Sequence, residues 1–163
     1  MNKQLMFSSR RSDWETPWPL FNDVDREFHF TVDVCASPSN TKVPGNYFTS
    51  KMNGLRRRWR GVCWMNPPYG PKIKKWVRKA YEETEKGGAI VVCLLPSRTD
   101  TGWFHDYCLK ADSILFIRGR VRFVGAVAPA PYPNCLVVFG AGFPEDTQLG
   151  KYGKIIDLRR CEI

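Results

Sequence analysis

The chain has 163 residues, enough for one domain, and its 25 Lys and Arg against 16 Asp and Glu give a formal net charge of +9. Apolar residues make up 43% of the sequence, which supports a packed core and excludes a disordered chain. The longest apolar stretch, residues 89–95, is far shorter than the about 20 residues that span a bilayer, and residues 1–11 lack the apolar block of a signal peptide. We therefore expect no membrane segment, and the positive charge favours a polyanionic partner.

The N-terminal part predicts a flexible segment, a helix and a strand. Residues 1–13 are polar and are expected to be flexible. A helix is expected from Thr16, with Pro17 at its first position, because apolar residues then recur at helical spacing. Apolar residues alternate over 28–36, which predicts a strand with one buried side, and the turn residues of 37–40 end it.

The middle of the chain predicts a βαβ unit. Residues 61–65 form a short apolar run, which predicts a buried strand, and the tetrapeptide 66–69, Asn-Pro-Pro-Tyr, follows directly. Adjacent prolines cannot continue a sheet ladder, so the chain must leave the strand there. An apolar stripe predicts a helix from Pro71 to the glycines at 87–88, and residues 89–95 predict a second buried strand. Two strands joined through a helix are expected to run parallel.

The C-terminal part predicts a short helix and two more strands. The helix is expected at 103–109, the strands at 113–117 and 135–139, and a loop rich in Ala and Pro lies between the strands. No internal repeat or domain boundary is visible. The chain is thus predicted to be a single α/β domain over residues 14–163, with a mostly parallel, twisted sheet flanked by helices.

The cysteines predict core positions rather than a metal site. They are widely spaced, at positions 35, 63, 93, 108, 135 and 161. Zinc ligands occur in closely spaced pairs, and only His29 and His105 could assist. Cys63, Cys93 and Cys135 lie within the apolar runs that predict buried strands. We expect reduced thiols that fill the core, and no bound metal.

Asn66-Pro67-Pro68-Tyr69 is the most specific motif in the sequence. On a loop that leaves a buried strand, it resembles the Asp/Asn/Ser-Pro-Pro-Tyr/Phe signature of the amino-methyltransferases. These enzymes transfer a methyl group from S-adenosylmethionine to an exocyclic amine. A Pro-Pro turn that closes a strand, with Tyr69 merely packing, is the structural alternative.

The motif suits amine methylation because an exocyclic amine on a purine is a weak nucleophile. The side-chain oxygen of Asn66 and the carbonyl of Pro67 can accept both amine hydrogens, which orients the lone pair toward the methyl group. Pro68 helps to stiffen the loop, and Tyr69 offers an aromatic face to a base removed from its stack. This chemistry requires no covalent nucleophile.

Further motifs occur in the order found in the small phage-encoded DNA N-6-adenine methyltransferases, and the chain resembles that family. They are Trp14-Glu15-Thr16-Pro17, Phe30-Thr31-Val32-Asp33-Val34-Cys35-Ala36, Leu94-Leu95-Pro96, Arg98-Thr99-Asp100-Thr101, Trp103-Phe104-His105, and Gly119-Arg120 with Phe123. The resemblance covers residues 14–139. It implies a Rossmann-like methyltransferase fold, S-adenosylmethionine as cofactor and DNA as partner.

The resemblance also implies a set of cofactor contacts. They are Trp14, Thr16 and Pro17, with Asp33, Val34, Cys35, Ala36 and Ser37 at the end of the first strand. An α/β sheet binds nucleotides at such strand ends, although Asp33 could instead cap local backbone amides. Asn53 stands where the family has Asp before Gly-Leu. It can still accept a hydrogen bond from the cofactor's adenine amino group, but without the charge.

Basic residues before the second strand predict contact with DNA. The densest cluster consists of Lys51, Arg56, Arg57, Arg58 and Arg60. These side chains would neutralise phosphates, and a solvated face without a partner is the alternative. Arg120 and Phe123 are expected to hold or stack on the target nucleotide, with core packing as the alternative for Phe123.

These observations predict an adenine-specific DNA methyltransferase that transfers a methyl group directly to a flipped base. The motif alone does not separate adenine from cytosine, and RNA or protein glutamine are further possible substrates. A catalytically silent nucleic-acid-binding domain is the alternative from a different class. The length leaves no room for a separate target-recognition domain, so a short target read by residues 40–60 and 119–134 is expected. The residues do not determine whether the protein is a monomer or a homodimer. If it is encoded by a phage or prophage, its expected location is the cytoplasm of the bacterial host.

Overall fold

A computed structural model describes residues 14–161, so the predicted flexible segment 1–13 lies outside the described residues. The helices are α1 (Trp18–Phe28), α2 (Ile73–Gly87) and α3 (Gly102–Asp106). The strands are β1 (Val32–Asp33), β2 (Val62–Met65), β3 (Ile90–Pro96), β4 (Ser113–Ile117), β5 (Asn134–Phe139) and β6 (Gly153–Asp157). Short 3₁₀ turns occur at Gly54–Arg56, Cys108–Lys110, Leu149–Tyr152 and Leu158–Arg160.

The strands form one six-stranded open sheet in the order β1-β2-β3-β5-β4-β6. The pairs β1–β2 and β2–β3 are parallel, as the βαβ unit predicts. The pairs β3–β5, β5–β4 and β4–β6 are antiparallel, so the prediction of a mostly parallel sheet was wrong and the sheet is mixed. β5 follows β4 without a crossover helix and pairs with it antiparallel, and because β5 inserts between β3 and β4 it also runs antiparallel to β3. The α/β class itself is confirmed.

Helices cover both faces of the sheet, as predicted. Along β3, Val91 and Cys93 belong to the core beneath α2 and α3, whereas Val92 and Leu94 belong to the core beneath α1. This alternation follows from the two-residue period of a strand. Because β3 is covered on both sides, it is a continuous apolar run without polar alternation. Gly88, at φ 68°, ends α2 in the left-handed conformation, as the glycine pair predicts.

The boundary between α1 and β1 differs most from the sequence predictions. Phe28 is the last residue of α1, and the expected strand from 28 to 36 is reduced to Val32–Asp33. His29, in the left-handed conformation, ends the helix and turns the chain, so Phe28 and Phe30 pack on the α1 side of the sheet. Val32 and Val34 pack on the other side. The edge strand β6 was not predicted, because its half-buried residues show no strong alternation.

The three cysteines expected in strands, Cys63, Cys93 and Cys135, are all buried and reduced. Burial raises the pKa of the Cys63 and Cys135 thiols to about 12, which makes them inert core residues. Among residues 14–161, no group of three or more His, Cys, Asp or Glu side chains is placed to hold a metal ion. None of the described helices is long and apolar enough to cross a membrane.

Candidate active site

A cleft of about 490 Å³ opens where the chain leaves β1 and β2. Its lining comes from the segment before α1, the segment after β1, the irregular stretch 48–55, the loop after β2 and the start of α2. The lining residues are Trp14, Glu15, Thr16, Asp33, Cys35, Ala36, Ser37, Asn40, Lys42, Phe48, Thr49, Ser50, Asn53, Gly54, Leu55, Trp64, Asn66, Pro68, Lys72 and Trp76. The carboxyl ends of neighbouring parallel strands are the usual ligand site of an open α/β sheet.

Asn66 is held with its side-chain oxygen unused. Its amide nitrogen donates to the Trp14 carbonyl and to the Thr16 hydroxyl, the latter at 3.0 Å. Both acceptors lie in the segment before α1, which therefore fixes the orientation of the carboxamide. The oxygen Oδ1 is buried, and no described residue donates to it. A buried acceptor without a donor costs stability, so its persistence points to a ligand that donates a hydrogen bond there.

Tyr69 is fixed from inside the protein. Its hydroxyl donates to the Leu94 carbonyl at 2.9 Å and accepts a longer bond, 3.4 Å, from the Asn134 side chain. Burial of the hydroxyl raises the pKa of Tyr69 well above its usual value. The ring makes edge contacts with Phe123 and Tyr132 and is half-buried. The hydroxyl thus anchors the ring, leaving part of the ring accessible.

Asp33 joins the end of β1 to the following loop. One carboxylate oxygen accepts from the Lys42 backbone amide at 2.9 Å, and the other accepts from the Cys35 amide at 3.3 Å. Burial raises the pKa of Asp33, and these two hydrogen bonds oppose that rise. The capping role weighed from the sequence is therefore present, in a carboxylate that also lines the cleft.

Lys42 and Glu15 place an ion pair in the cleft wall. The Lys42 ammonium lies 3.1 Å from a Glu15 carboxylate oxygen, and only 2% of the Lys42 side chain is exposed. The same ammonium lies 3.9 Å from the centroid of the Trp18 ring. A charged lysine is rarely so buried without partners, and here the carboxylate and the ring supply them. No sequence pattern indicated this pair: Glu15 lies within a predicted motif but without a predicted contact, and Lys42 belongs to an irregular segment where no periodicity marks a buried side.

The segment around Asn53 fits closely against the end of β1. Asn53 adopts the left-handed conformation at φ 54° and begins the 3₁₀ turn Gly54–Arg56. A Cβ atom at Gly54 would lie 2.3 Å from the Val34 carbonyl oxygen, so only glycine fits. The Trp59 indole donates to the Gly54 carbonyl at 2.9 Å, which fixes this turn beside the cleft.

Most residues predicted to bind the cofactor share the cleft. Trp14, Thr16, Asp33, Cys35, Ala36, Ser37 and Asn53 line it. Val34 is fully buried beneath it, and Pro17 precedes α1 without lining it. Of the catalytic motif, Asn66 and Pro68 line the cleft, whereas Pro67 and Tyr69 are not among its lining residues. The remaining lining residues include Trp64, from β2, and Trp76, from α2.

The predicted DNA-contacting basic residues lie on the surface outside the cleft lining. Lys51, Arg56, Arg57, Arg58 and Arg60 are all exposed. Arg57 donates to the Met52 carbonyl at 3.1 Å, and Arg58 lies 3.7 Å from the buried carboxylate of Glu83. Within residues 14–161, the other three make no ion pair, so their charges are available to a partner. Arg120 is also exposed.

Phe123 is a core residue in this structure, which favours the packing alternative over stacking on a nucleotide. Only 1% of its surface is exposed. Its ring packs 5.4 Å from Trp14 and 6.2 Å from Tyr69, measured between ring centroids. Phe123 therefore packs against both Trp14 and Tyr69 and supports the two segments that contain them. This is the packing alternative weighed from the sequence.

Comparison with known proteins defines the class to which this fold and cleft belong. Residues 4–132 match the family model described as DNA N-6-adenine-methyltransferase (Dam). A DNA N-6-adenine-methyltransferase of Haemophilus phage HP1 (strain HP1c1) is 36% identical over 129 residues, which cover 76% of this chain and 73% of the phage protein. The chain therefore belongs to the DNA N-6-adenine-methyltransferase (Dam) family, a family of methyl-transferring enzymes, as the motif order predicts.

Proposed function

We propose that this enzyme transfers a methyl group from S-adenosylmethionine to the exocyclic amine of adenine in DNA, on a base extruded from the duplex. The observation that carries the proposal is the oriented, unpartnered Oδ1 of Asn66 in the cleft. An acceptor at that point suits an amine that donates a hydrogen bond. Membership of the DNA N-6-adenine-methyltransferase family supports adenine over cytosine.

The loop 66–69 would act by orientation and electrostatics. Asn66 Oδ1 accepts one amine hydrogen and the Pro67 carbonyl accepts the other, so the nitrogen lone pair is directed at the methyl carbon. Both acceptors also stabilise the positive charge that develops on nitrogen. The accessible part of the Tyr69 ring stacks on the extruded base. The hydrogen bond of its hydroxyl to the Leu94 carbonyl holds the ring in place.

The cleft suits S-adenosylmethionine in size and chemistry. When bound, this cofactor supplies an electrophilic methyl group, and the carbon–sulfur electron pair stays on sulfur. Its amino-acid end carries an ammonium and a carboxylate, for which Glu15 and Lys42 offer the complementary charges. The rings of three lining residues form an aromatic part of the cleft wall: Trp14, Trp64 and Trp76. Asn53 offers a polar group to the adenine of the cofactor. We also propose that the domain has the Rossmann-like methyltransferase fold, because the cleft that suits S-adenosylmethionine lies where the chain leaves the parallel strands β1 and β2. The antiparallel pairing of β3 to β6 is a variation on that fold.

Substitution of Lys42 by methionine is expected to weaken S-adenosylmethionine binding about 10- to 100-fold, the loss typical of one charge-assisted hydrogen bond. Isothermal titration calorimetry measures it. The control ligand is 5′-methylthioadenosine, which lacks the amino-acid end and should bind the variant almost as well as the wild type. An equal loss for both ligands would mean that Lys42 only supports the loop.

DNA would bind through the exposed basic cluster 51–60. Reversal of Arg56 and Arg57 to glutamate is expected to weaken DNA binding irrespective of sequence and to reduce the salt slope by about 0.9 per lost phosphate contact. Arg58 is left in place because it faces Glu83. The matched control reverses Lys110 and Lys154, which are exposed elsewhere on the protein. Equal effects of the two double variants would leave only a net-charge effect.

A transfer assay with labelled S-adenosylmethionine tests the proposed function. Duplex DNA, single-stranded DNA, RNA and protein extract are offered separately, and labelled DNA is hydrolysed to nucleosides. Label in N6-methyl-2′-deoxyadenosine from DNA is the expected result. Label in cytosine, RNA or glutamine would replace the proposed substrate, and failure to bind the cofactor would favour a silent nucleic-acid-binding domain. We further propose that the enzyme acts in the cytoplasm of a bacterial host.

A further inference from the structure

The loop between β4 and β5, residues 118–133, combines arginines with an exposed apolar tip. Arg118, Arg120 and Arg122 are all exposed, and none forms an ion pair within the described part of the chain. Val127 is 94% exposed, the most exposed large apolar side chain of residues 14–161. Because its methyl groups remain in water, the Val127 side chain contributes no burial energy to the stability of the fold.

The base of this loop is attached to the candidate active site. The Val124 amide donates to the Glu15 carbonyl at 3.0 Å, and Glu15 lines the cleft. Phe123 and Tyr132, on the two sides of the loop, both contact the Tyr69 ring. The tip therefore extends from the wall that supports the catalytic tyrosine.

The loop is also restrained internally. The Ala126 amide donates to the Phe123 carbonyl at 3.1 Å, and the Ala130 amide donates to the Val121 carbonyl at 2.8 Å. Prolines at 129, 131 and 133 restrict the backbone further. Because the loop is already restrained, it loses little conformational entropy when its exposed apolar tip binds a partner.

We propose that Val127 enters the base stack of duplex DNA beside the target adenine and occupies the space that the extruded base leaves. This inference rests on the proposed function. Apolar wedges that separate stacked bases are a general device of DNA-bending and base-extruding proteins. The neighbouring arginines would hold the flanking phosphates while the tip is inserted. Stacked bases are the apolar surface that a polyanion offers, which favours duplex DNA over other partners of a basic loop.

The wedge matters only when the target base is paired and stacked. An adenine opposite a mismatched base leaves the stack more readily, so its extrusion depends less on an inserted side chain. Loss of Val127 should therefore affect a paired target and spare a mismatched one. A role in phosphate contact or in folding would affect both substrates alike.

The test compares Val127→Ser and Val127→Leu with the wild type, after the wild type has been used to map a methylated adenine by sequencing. On a paired duplex, Val127→Ser is expected to lower kcat/KM about 10-fold, whereas Val127→Leu, which keeps an apolar tip, retains the activity. With the target adenine mismatched, Val127→Ser should regain the wild-type rate. 2-Aminopurine at the target position should also fluoresce less with Val127→Ser than with the wild type on the paired duplex.

The outcomes separate this inference from the function on which it rests. If the wild type methylates no adenine, the proposed function fails, and the wedge fails with it. If the wild type methylates adenine but Val127→Ser is equally active on the paired duplex, only the wedge is overturned. A loss of the same size on paired and mismatched targets would also overturn it.

Discussion

Replacement of Asn66 by alanine is expected to lower the rate of methyl transfer about 10²- to 10³-fold, the loss typical of removing one acceptor or donor aimed at the transition state. The reason is that Asn66 Oδ1 is buried, oriented and without a donor among the described residues. The rate is measured as labelled methyl transfer to DNA at saturating cofactor, so that a change in cofactor affinity does not enter. Binding of S-adenosylmethionine, measured by calorimetry, should persist.

Two further variants sharpen this test. Thr16→Val removes one of the two groups that orient the Asn66 amide but keeps Oδ1, so a smaller decrease is expected. Asn22→Ala is the matched control, because Asn22 is an exposed residue on α1 and its loss should leave the rate unchanged. Equal labelling of DNA by Asn66→Ala and the wild type would show that the motif is structural, which is the alternative interpretation of a Pro-Pro turn.

Replacement of Phe123 by alanine is expected to reduce the free energy of unfolding by about 3–5 kcal/mol, the usual cost of deleting a buried aromatic ring. Phe123 fills the space between Trp14 and Tyr69, and neither ring can follow the deletion without disturbing the cleft. Urea denaturation monitored by tryptophan fluorescence measures the change. Phe123→Leu keeps most of the volume and should cost less than about 1.5 kcal/mol.

The same two variants distinguish packing from nucleotide stacking. A side chain that is 1% exposed cannot stack on a base, so Phe123→Leu should bind DNA as the wild type does. The opposite pattern, with unchanged unfolding and weakened DNA binding in both variants, would restore the stacking role. Phe123 and Val127 are apolar residues four positions apart in one loop. Their different exposure separates the core role of Phe123 from the DNA contact proposed for Val127.

The sequence predicted the half of the fold that depends on local patterns. The buried strands β2 and β3, the helix between them and the position of the Asn-Pro-Pro-Tyr loop all follow from apolar runs, prolines and glycines. Their parallel pairing follows because a helix connects them. The order of short motifs was sufficient to predict the family, because several separate motifs agree in their order along the chain.

Other features depend on contacts between distant parts of the chain. The antiparallel half of the sheet arises because β5 inserts between β3 and β4, which no local pattern specifies. The edge strand β6 exists through pairing with β4, although its own residues favour it weakly. Likewise, the burial of Phe123 depends on Trp14 and Tyr69, which lie far from it in the chain.

In the active site, local motifs specify which groups are present, and contacts across the fold specify which of their atoms are free to react. Asn66 was identified by its motif, but only the contacts of its amide with Trp14 and Thr16 leave Oδ1 unused. The pairing of Lys42 with Glu15 joins two irregular segments 27 residues apart. A sequence motif specifies chemistry, whereas hydrogen bonds and burial across the fold specify orientation, and directed methyl transfer requires both.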